Sequence, residues 1–232
     1  MKKNILLLIL SSLLLLATVG YGKTINLYSL FPNLTLGSDP GGMDTVYVTC
    51  GGLTVSQVTV QIWVKTDNTG VDALQGIYVP VEVTADQPGV TLDTTLASTY
   101  TGTAVQSWDD SVLYVSVVSN GGDPSAFPMQ LILGGVDLDQ SGVLGAGNHL
   151  LANLKFNVSQ PTNICIEDTF SWYLGSLTLV TTEANGYTPA FKGDCCGPIV
   201  PTLTEWGLII FGVLLLGGLI WYLRRRRVTR LA

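Results

Sequence analysis

The sequence predicts an all-β fold, a single antiparallel β-sandwich. Three observations predict it. Short segments alternate apolar and polar side chains, turn clusters rich in Gly, Pro, Asn and Asp separate these segments, and no segment has the periodicity of an amphipathic helix. Charged residues make up only 12% of the chain, which together with abundant Gly, Thr, Ser and Val favours an exported β protein over a disordered one.

A leader arm at residues 23–43 precedes the first strands. It is rich in proline and glycine, and we expect it to contribute at most one edge strand. The sandwich is expected over residues 44–198. It begins with Thr45–Thr49 and continues with Gln57–Lys65, whose valines and isoleucine share one face. Leu74–Thr84 alternates in the same way, and Pro80 within it predicts an edge strand or a bulge.

The remaining strands are predicted from the same alternation between turn clusters. They are Val90–Leu96, Thr103–Trp108, Val112–Val118, Met129–Gly134, Leu150–Val158, Cys165–Trp172, Leu177–Thr182 and Tyr187–Phe191.

Two segments of this domain carry a family resemblance. Gln75–Val81 and Gly145–Val158 resemble the cohesin-like modules that are related to carbohydrate-binding sandwiches. The resemblance implies a jelly-roll sandwich. Members include scaffold modules that bind a protein partner, so it supports the fold more than any one activity.

The four cysteines predict disulfides, since all of them lie in the part expected to be exported. Adjacent cysteines rarely bridge each other because the geometry is strained. We therefore expect Cys50 and Cys165 each to pair with one of Cys195 and Cys196. A metal site is the alternative, although the chain has no CxxC pair and His149 is distant in sequence.

The N-terminus has the pattern of a secretory signal peptide over residues 1–22. Lys2 and Lys3 precede the apolar run Ile5–Leu16, and small residues follow at Gly20 and Gly22. An uncleaved signal anchor is the alternative.

The C-terminus predicts a transmembrane helix over residues 208–223, because this stretch contains no charged side chain. A helix from Trp206 to Leu223 spans roughly 27 Å, which just fits a bilayer core. Residues 224–232 form a basic tail in which four arginines stop transfer, so this tail is expected in the cytoplasm and the domain before the helix outside it. The alternative is a buried helix of a soluble domain. The four arginines are Arg224, Arg225, Arg226 and Arg227.

A sorting motif at residues 199–207 precedes that helix, and its order of motif, helix and arginine cluster resembles the IPTL-CTERM sorting signal of Gram-negative bacteria, a relative of the PEP-CTERM signals. The resemblance implies recognition by an exosortase-type enzyme in the membrane, cleavage near Pro201 to Glu205 and transfer to the cell surface. Val200 departs from the isoleucine usual in the family, a change of one methylene. The motif residues are Val200, Pro201, Thr202, Leu203, Glu205, Trp206 and Gly207.

Charge excludes one class of function. Residues 23–200 contain four lysines against sixteen acidic residues, a net charge of −12, whereas the whole chain carries −6. Such a domain repels nucleic acid and anionic lipid, so we expect no nucleic-acid partner.

A calcium loop is the first candidate site. Asp137, Asp139 and Ser141 place oxygen atoms at positions 1, 3 and 5 of an EF-hand-like loop, with a turn glycine at position 6. The second half departs, because Gly145 and Asn148 stand at positions 9 and 12 in place of strong ligands. An acidic surface loop is the alternative, so we expect no cofactor other than weakly bound calcium.

A glycan-binding face is the second candidate. Trp63, Tyr78 and Tyr114 fall on the outward side of their predicted strands, where aromatic rings can stack on sugars or pack under a covering loop.

No catalytic residues are predicted, because no Ser or Cys has a base near it in a recognisable motif. The sequence therefore predicts a non-catalytic surface or extracellular-matrix protein. The alternative is a carbohydrate-binding module at the cell surface.

Overall fold

A computed structural model describes residues 35–108, 112–171, 176–198, 207 and 209–218 of the chain. The predicted signal peptide, the leader arm up to residue 34, the sorting motif apart from Gly207, and the four arginines lie outside the described residues. The chain divides into two compact units, residues 1–197 and 198–232. The first unit contains two β-sheets, consistent with the predicted β-sandwich.

The first unit contains thirteen described strands and one short α-helix. Two 3-10 turns lie at Gly70–Asp72 and Asn120–Gly122. The strands and helix are β1 (Thr35–Leu36), β2 (Thr45–Leu53), β3 (Gln57–Thr66), β4 (Leu74–Ala85), β5 (Val90–Leu92), α1 (Leu96–Tyr100), β6 (Tyr114–Val117), β7 (Met129–Val136), β8 (Gly147–Val158), β9 (Ile164–Thr169), β10 (Thr178–Thr181), β11 (Asn185–Tyr187), β12 (Ala190–Lys192) and β13 (Asp194–Cys196).

The strands form a large sheet of eight and a small sheet of five. The large sheet has the order β1-β11-β10-β4-β7-β6, with β9 beside β4 and β13 beside β9. The small sheet has the order β12-β2-β3-β8-β5. Pairing is antiparallel except at two edges, where β1 joins β11 and β12 joins β2 in parallel. The edge strand expected from the leader arm is therefore present as β1.

The main core contains the apolar side chains that the alternation predicts. Ile62 on β3, Val79 on β4 and Leu154 on β8 are completely buried in it. The polar or half-exposed residues between them on β3 and β8 lie on the outer face of the small sheet. The large sheet differs, because eight consecutive residues of β4 from Leu74 onwards are all buried.

The prediction of a strand at Thr103–Trp108 is wrong, and so is the C-terminal half of the predicted strand Val90–Leu96. Thr103–Trp108 forms turns in which Val105 and Trp108 are buried three residues apart, a spacing that suits a coiled segment filling the core rather than a strand. The strand predicted up to Leu96 ends at Leu92. The Thr95 hydroxyl there accepts a hydrogen bond from the Ser98 amide at 3.3 Å and caps α1.

Pro80 does not mark an edge, because β4 is a central strand. On one side, β4 pairs with β10 up to Tyr78 and with β9 from Val81 onwards. Pro80 lies between these two pairings. A residue without an amide hydrogen is tolerated at this change of neighbour, where the ladder on that side is interrupted.

The second unit is helical at residues 209–218. Within the residues that the structure describes, no helix has both the length and the apolar character needed to cross a membrane.

Candidate functional site

The C-terminal strand of the first unit is covalently attached to both sheets. Cys195 is bonded to Cys165, its cross-strand neighbour on β9 in the large sheet. Cys196 is bonded to Cys50, which lies on β2 in the small sheet. Successive side chains of a strand point to opposite faces, which is why two adjacent cysteines reach two different partners. The predicted pairing of Cys50 and Cys165 with the adjacent cysteines is confirmed.

Two of the three predicted glycan-contact residues are not on an exposed face. Tyr78 is completely buried and Tyr114 is 5% exposed. They do lie on the outer side of the large sheet, but a second apolar cluster containing Ile132 and Val180 packs around them. The placement of Tyr78 and Tyr114 in an open aromatic platform was therefore wrong, because the outer face of this sheet is itself packed.

The two buried tyrosines belong to one row across three strands. Tyr78 on β4 and Tyr114 on β6 both pair with Gly134 on β7. A Cβ atom at Gly134 would overlap the ring of Tyr114, so the glycine makes room for the aromatic side chain. Neither phenol hydroxyl has a hydrogen-bond partner in the described part of the chain. Burial raises the pKa of Tyr78 to about 12, and burial with the nearby Tyr78 raises the pKa of Tyr114 further.

Trp63, the third predicted glycan-contact residue, lies on the other sheet and has a different partner. It is half-buried on the outer face of β3, opposite Tyr47 on β2. The two rings are nearly parallel, with centroids 6.3 Å apart and planes inclined by 15°. Sequence reasoning missed Tyr47, although the β2–β3 hairpin places it beside Trp63.

A row of amide side chains continues the same face. The Gln61 amide donates a hydrogen bond to Asn153 Oδ1 at 3.0 Å, and the Gln57 amide donates to Asn157 Oδ1 at 3.2 Å. These side chains belong to β3 and β8, two and six residues from Trp63 along β3. The amides thus hold one another in place beside two half-buried rings, and together they form a surface that is both polar and aromatic.

The predicted calcium loop folds around its own backbone. Asp137 Oδ2 accepts a hydrogen bond from the Gly142 amide at 2.7 Å, and Asp139 Oδ1 accepts one from the Ser141 amide at 2.9 Å. The loop is also attached to the turns at Thr103–Trp108, because Trp108 Nε1 donates a hydrogen bond to the Gly142 carbonyl at 2.9 Å. Burial raises the pKa of Asp137, and the Asp139 carboxyl beside it acts in the same direction. Calcium binding here stays a prediction.

The first unit is thus a disulfide-bonded protein of two β-sheets with one packed and one half-exposed outer face. Residues 200–227 of the chain match the IPTL-CTERM motif, the sorting signal that the sequence resembles. The match begins four residues after Cys196 and describes the tail, which indicates an exported protein sorted to the cell envelope. No curated protein matches the chain.

Proposed function

We propose that the chain is an exported protein of the cell envelope whose disulfide-bonded β-sandwich acts outside the cytoplasm without catalysing a reaction. The observation that carries the proposal is the IPTL-CTERM match at residues 200–227. Signals of this type are substrates of exosortase-type enzymes, so this chain is a substrate of such an enzyme. Its predicted helix at residues 208–223 holds it in the membrane until processing, and the sandwich is then delivered to the surface or the extracellular matrix.

The disulfides support display in an oxidising compartment. Cys195 and Cys196 fix the last strand before the tail to both sheets. A pull on the tail is therefore transmitted to two covalent bonds rather than to a terminal strand of three residues. This arrangement suits a domain that is handled and attached through its C-terminus.

The chemistry of the described residues supports a non-catalytic role. All four cysteines are in disulfides, so they supply no thiolate. The ring of His149 is bonded through Nε2 to the Gly145 carbonyl at 2.7 Å. This backbone contact engages one of the two ring nitrogens of the only histidine in the chain.

The sorting proposal is tested by expressing the full chain in a Gram-negative host with and without an exosortase-type enzyme. Mass spectrometry of the mature C-terminus is expected to find it within Pro201–Glu205 only when the enzyme is present. Pro201→Ala should abolish processing, whereas Thr229→Ala, outside the matched residues, should leave it unchanged. An intact C-terminus at Ala232 in both hosts, or equal processing of both variants, contradicts the proposal.

A second candidate function is carbohydrate binding at the small sheet. The observation that favours it is the nearly parallel, half-buried pair of Tyr47 and Trp63 beside the amide row. Paired rings offer a surface for stacking on sugars, and fixed amides can bind hydroxyl groups on either side. The cohesin-like resemblance of the sandwich is compatible with this function and stays a prediction.

A polysaccharide array probed with the purified full chain tests this candidate. For any polysaccharide that binds, Trp63→Ala and Tyr47→Ala should each weaken binding by at least about tenfold, the usual effect of losing a central aromatic contact. Thr49→Ala, on the same strand and face as Tyr47, is the matched control and should bind normally. Equal affinity for all three variants would remove this function from the aromatic pair.

A further inference from the structure

Three carboxylates meet at one end of the small sheet, two from the segment before β2 and one from the end of β3. Asp39 lies in the segment before β2, Asp44 directly precedes β2, and Asp67 directly follows β3. One oxygen atom from each of them lies within 4.8 Å of the other two. The β2–β3 register explains the meeting, because Thr45 pairs with Lys65 and the residues just beyond this pair must come together.

Backbone amides orient these carboxylates. Asp39 Oδ2 accepts from the Asp44 amide at 2.7 Å, Asp44 Oδ1 accepts from the Asp67 amide at 3.2 Å, and Asp67 Oδ2 accepts from the Gly42 amide at 2.8 Å. Asp67 Oδ1 receives no hydrogen bond in the described part of the chain. Among the described residues, no lysine or arginine forms an ion pair with the cluster, so no described side chain balances its negative charge.

A buried amide oxygen supplies an independent observation. Asn68 is 3% exposed, and its Oδ1 has no hydrogen-bond partner among the described residues. The opposite end of this amide is fixed, because Asn68 Nδ2 donates to the Tyr187 hydroxyl at 2.7 Å and to Asp44 Oδ2 at 3.3 Å. The Tyr187 hydroxyl in turn donates to Asp44 Oδ2. A buried carbonyl oxygen held in this way needs a partner, since an unpaired buried acceptor is costly.

The two unpartnered oxygens both lie beside Gly41. A Cβ atom on Gly41 would overlap Asp67 Oδ1 and would lie 3.2 Å from Asn68 Oδ1. Both oxygens are close to this one position, so the free carboxylate oxygen and the free amide oxygen lie near each other beside Gly41. A positive ion placed there would satisfy both oxygens and offset the mutual repulsion of the three carboxylates.

The donor set selects the kind of ion. Carboxylate and amide oxygens without His or Cys suit a hard cation rather than zinc. Calcium takes oxygen ligands at about 2.3–2.6 Å, so two of its ligands lie up to about 5 Å apart. Magnesium holds its ligands at about 2.0–2.1 Å, which limits them to about 4.2 Å. The three carboxylate oxygens lie within 4.8 Å of one another, which is inside the reach of calcium. Calcium also accepts an irregular set of oxygen ligands, whereas magnesium requires nearly octahedral geometry.

We propose that Asp39, Asp44 and Asp67, together with the Asn68 amide oxygen, form a calcium-binding site. Tyr187 belongs to β11 of the large sheet, whereas Asp44 and Asp67 flank strands of the small sheet. A bound calcium ion thus fixes the segment before β2 at a junction of the two sheets. The site is separate from the loop at Asp137 and independent of the function proposed above.

Calorimetric titration of the purified full chain with calcium chloride tests the site. One ion should bind with a dissociation constant in the range of about 10⁻⁵ to 10⁻³ M, as in extracellular calcium modules and the weaker sensors. Calcium should raise the Tm relative to the same protein in a chelator. Absence of heat and of any Tm shift at about 10 mM calcium overturns the proposal.

Variants distinguish this site from the loop. Asp67→Asn and Asn68→Ala should each weaken calcium binding at least about tenfold, a typical loss on removing a ligand group. Asp139→Asn should leave it unchanged. If Asp139→Asn abolishes binding and Asp67→Asn does not, calcium binds at the loop and the proposal is wrong.

The Tm of Asp67→Asn in chelator and in calcium shows whether Asp67 is a calcium ligand or only supports the fold. Asp67 is exposed, so Asp67→Asn is expected to fold. In chelator its Tm should equal or exceed that of the parent chain, because one of three repelling charges is gone. In calcium it should lack the rise in Tm that the parent shows. A Tm lowered equally in both conditions would mean that Asp67 only supports the fold.

Discussion

Aromatic residues lie on the outer faces of both sheets, but the two faces have opposite environments. On the large sheet, Tyr78 and Tyr114 are buried in a second apolar cluster. On the small sheet, Tyr47 and Trp63 are half-exposed beside the amide row. An aromatic residue on the outward side of one strand therefore does not show whether that face is covered.

The neighbouring strand carries the missing information. Beside β4, strand β7 is almost continuously apolar and is buried along both faces, with only Gln130 partly exposed. Beside β3, strand β8 alternates, and Asn153, Lys155 and Asn157 occupy its outward positions. A sheet with two packed faces requires apolar residues at consecutive positions of its strands. Faces should accordingly be assigned from pairs of strands rather than from one strand.

Removing one aromatic side chain from each face is expected to give the largest difference. Tyr78→Ala should lower the free energy of unfolding by about 3–5 kcal/mol, because a large, fully buried ring leaves a cavity. Trp63→Ala should cost less, about 1–2 kcal/mol, since the indole is only partly buried. Urea unfolding followed by circular dichroism measures both. Equal losses would mean that the two outer faces are packed alike.

Alkaline pH should affect the packed face next. Burial raises the pKa of Tyr78 to about 12, whereas an unfolded tyrosine titrates near 10. Between pH 10 and pH 12 the unfolded chain releases the Tyr78 proton, whereas the folded chain retains it. The free energy of unfolding is therefore at its full value below pH 10 and decreases as the pH rises to 12. The loss from Tyr78 alone is about 2–3 kcal/mol.

Tyr78→Phe supplies the control for this titration. Its decrease in stability between about pH 9 and pH 12 should be smaller than that of the parent by about 2–3 kcal/mol. Urea unfolding at the two pH values measures the difference. An unchanged decrease would show that Tyr78 titrates as an exposed tyrosine does.

Adding one methyl group to a glycine of each sheet should have a smaller effect. Gly134→Ala forces a Cβ atom against the ring of Tyr114 and should cost about 1–3 kcal/mol. Gly52→Ala on β2 is the matched control, because nothing lies within 4 Å of its Cβ position, and alanine there should be neutral. Thermal unfolding measures both variants. A stable Gly134→Ala protein would mean that the tyrosine ring moves freely.

Much of the fold follows from local pattern, and the sites follow from it less. The alternation over Gln57–Lys65 and the two adjacent cysteines are local signals. They correctly predict a half-buried strand and that the adjacent cysteines pair with Cys50 and Cys165, but not which pairs with which. The turns at Thr103–Trp108 have no local signal, because the burial of Val105 and Trp108 depends on how the surrounding strands pack. The cluster of Asp39, Asp44 and Asp67 depends on the β2–β3 register, which joins residues that no spacing rule connects.

The smallest effect is expected from removing single hydroxyl groups. It compares a buried hydroxyl that has no hydrogen-bond partner with a buried hydroxyl that has one. The Tyr78 hydroxyl is buried without a partner in the described residues, so Tyr78→Phe at neutral pH should raise the free energy of unfolding by about 1 kcal/mol. Tyr100 is buried too, but its hydroxyl donates to the Tyr114 carbonyl at 2.8 Å. Tyr100→Phe should therefore lower the free energy of unfolding by about 1 kcal/mol. Opposite signs in urea unfolding are the expected result. If both substitutions destabilise equally, the Tyr78 hydroxyl is hydrogen-bonded in solution, water reaches the outer face of the large sheet, and the contrast between the two faces is lost.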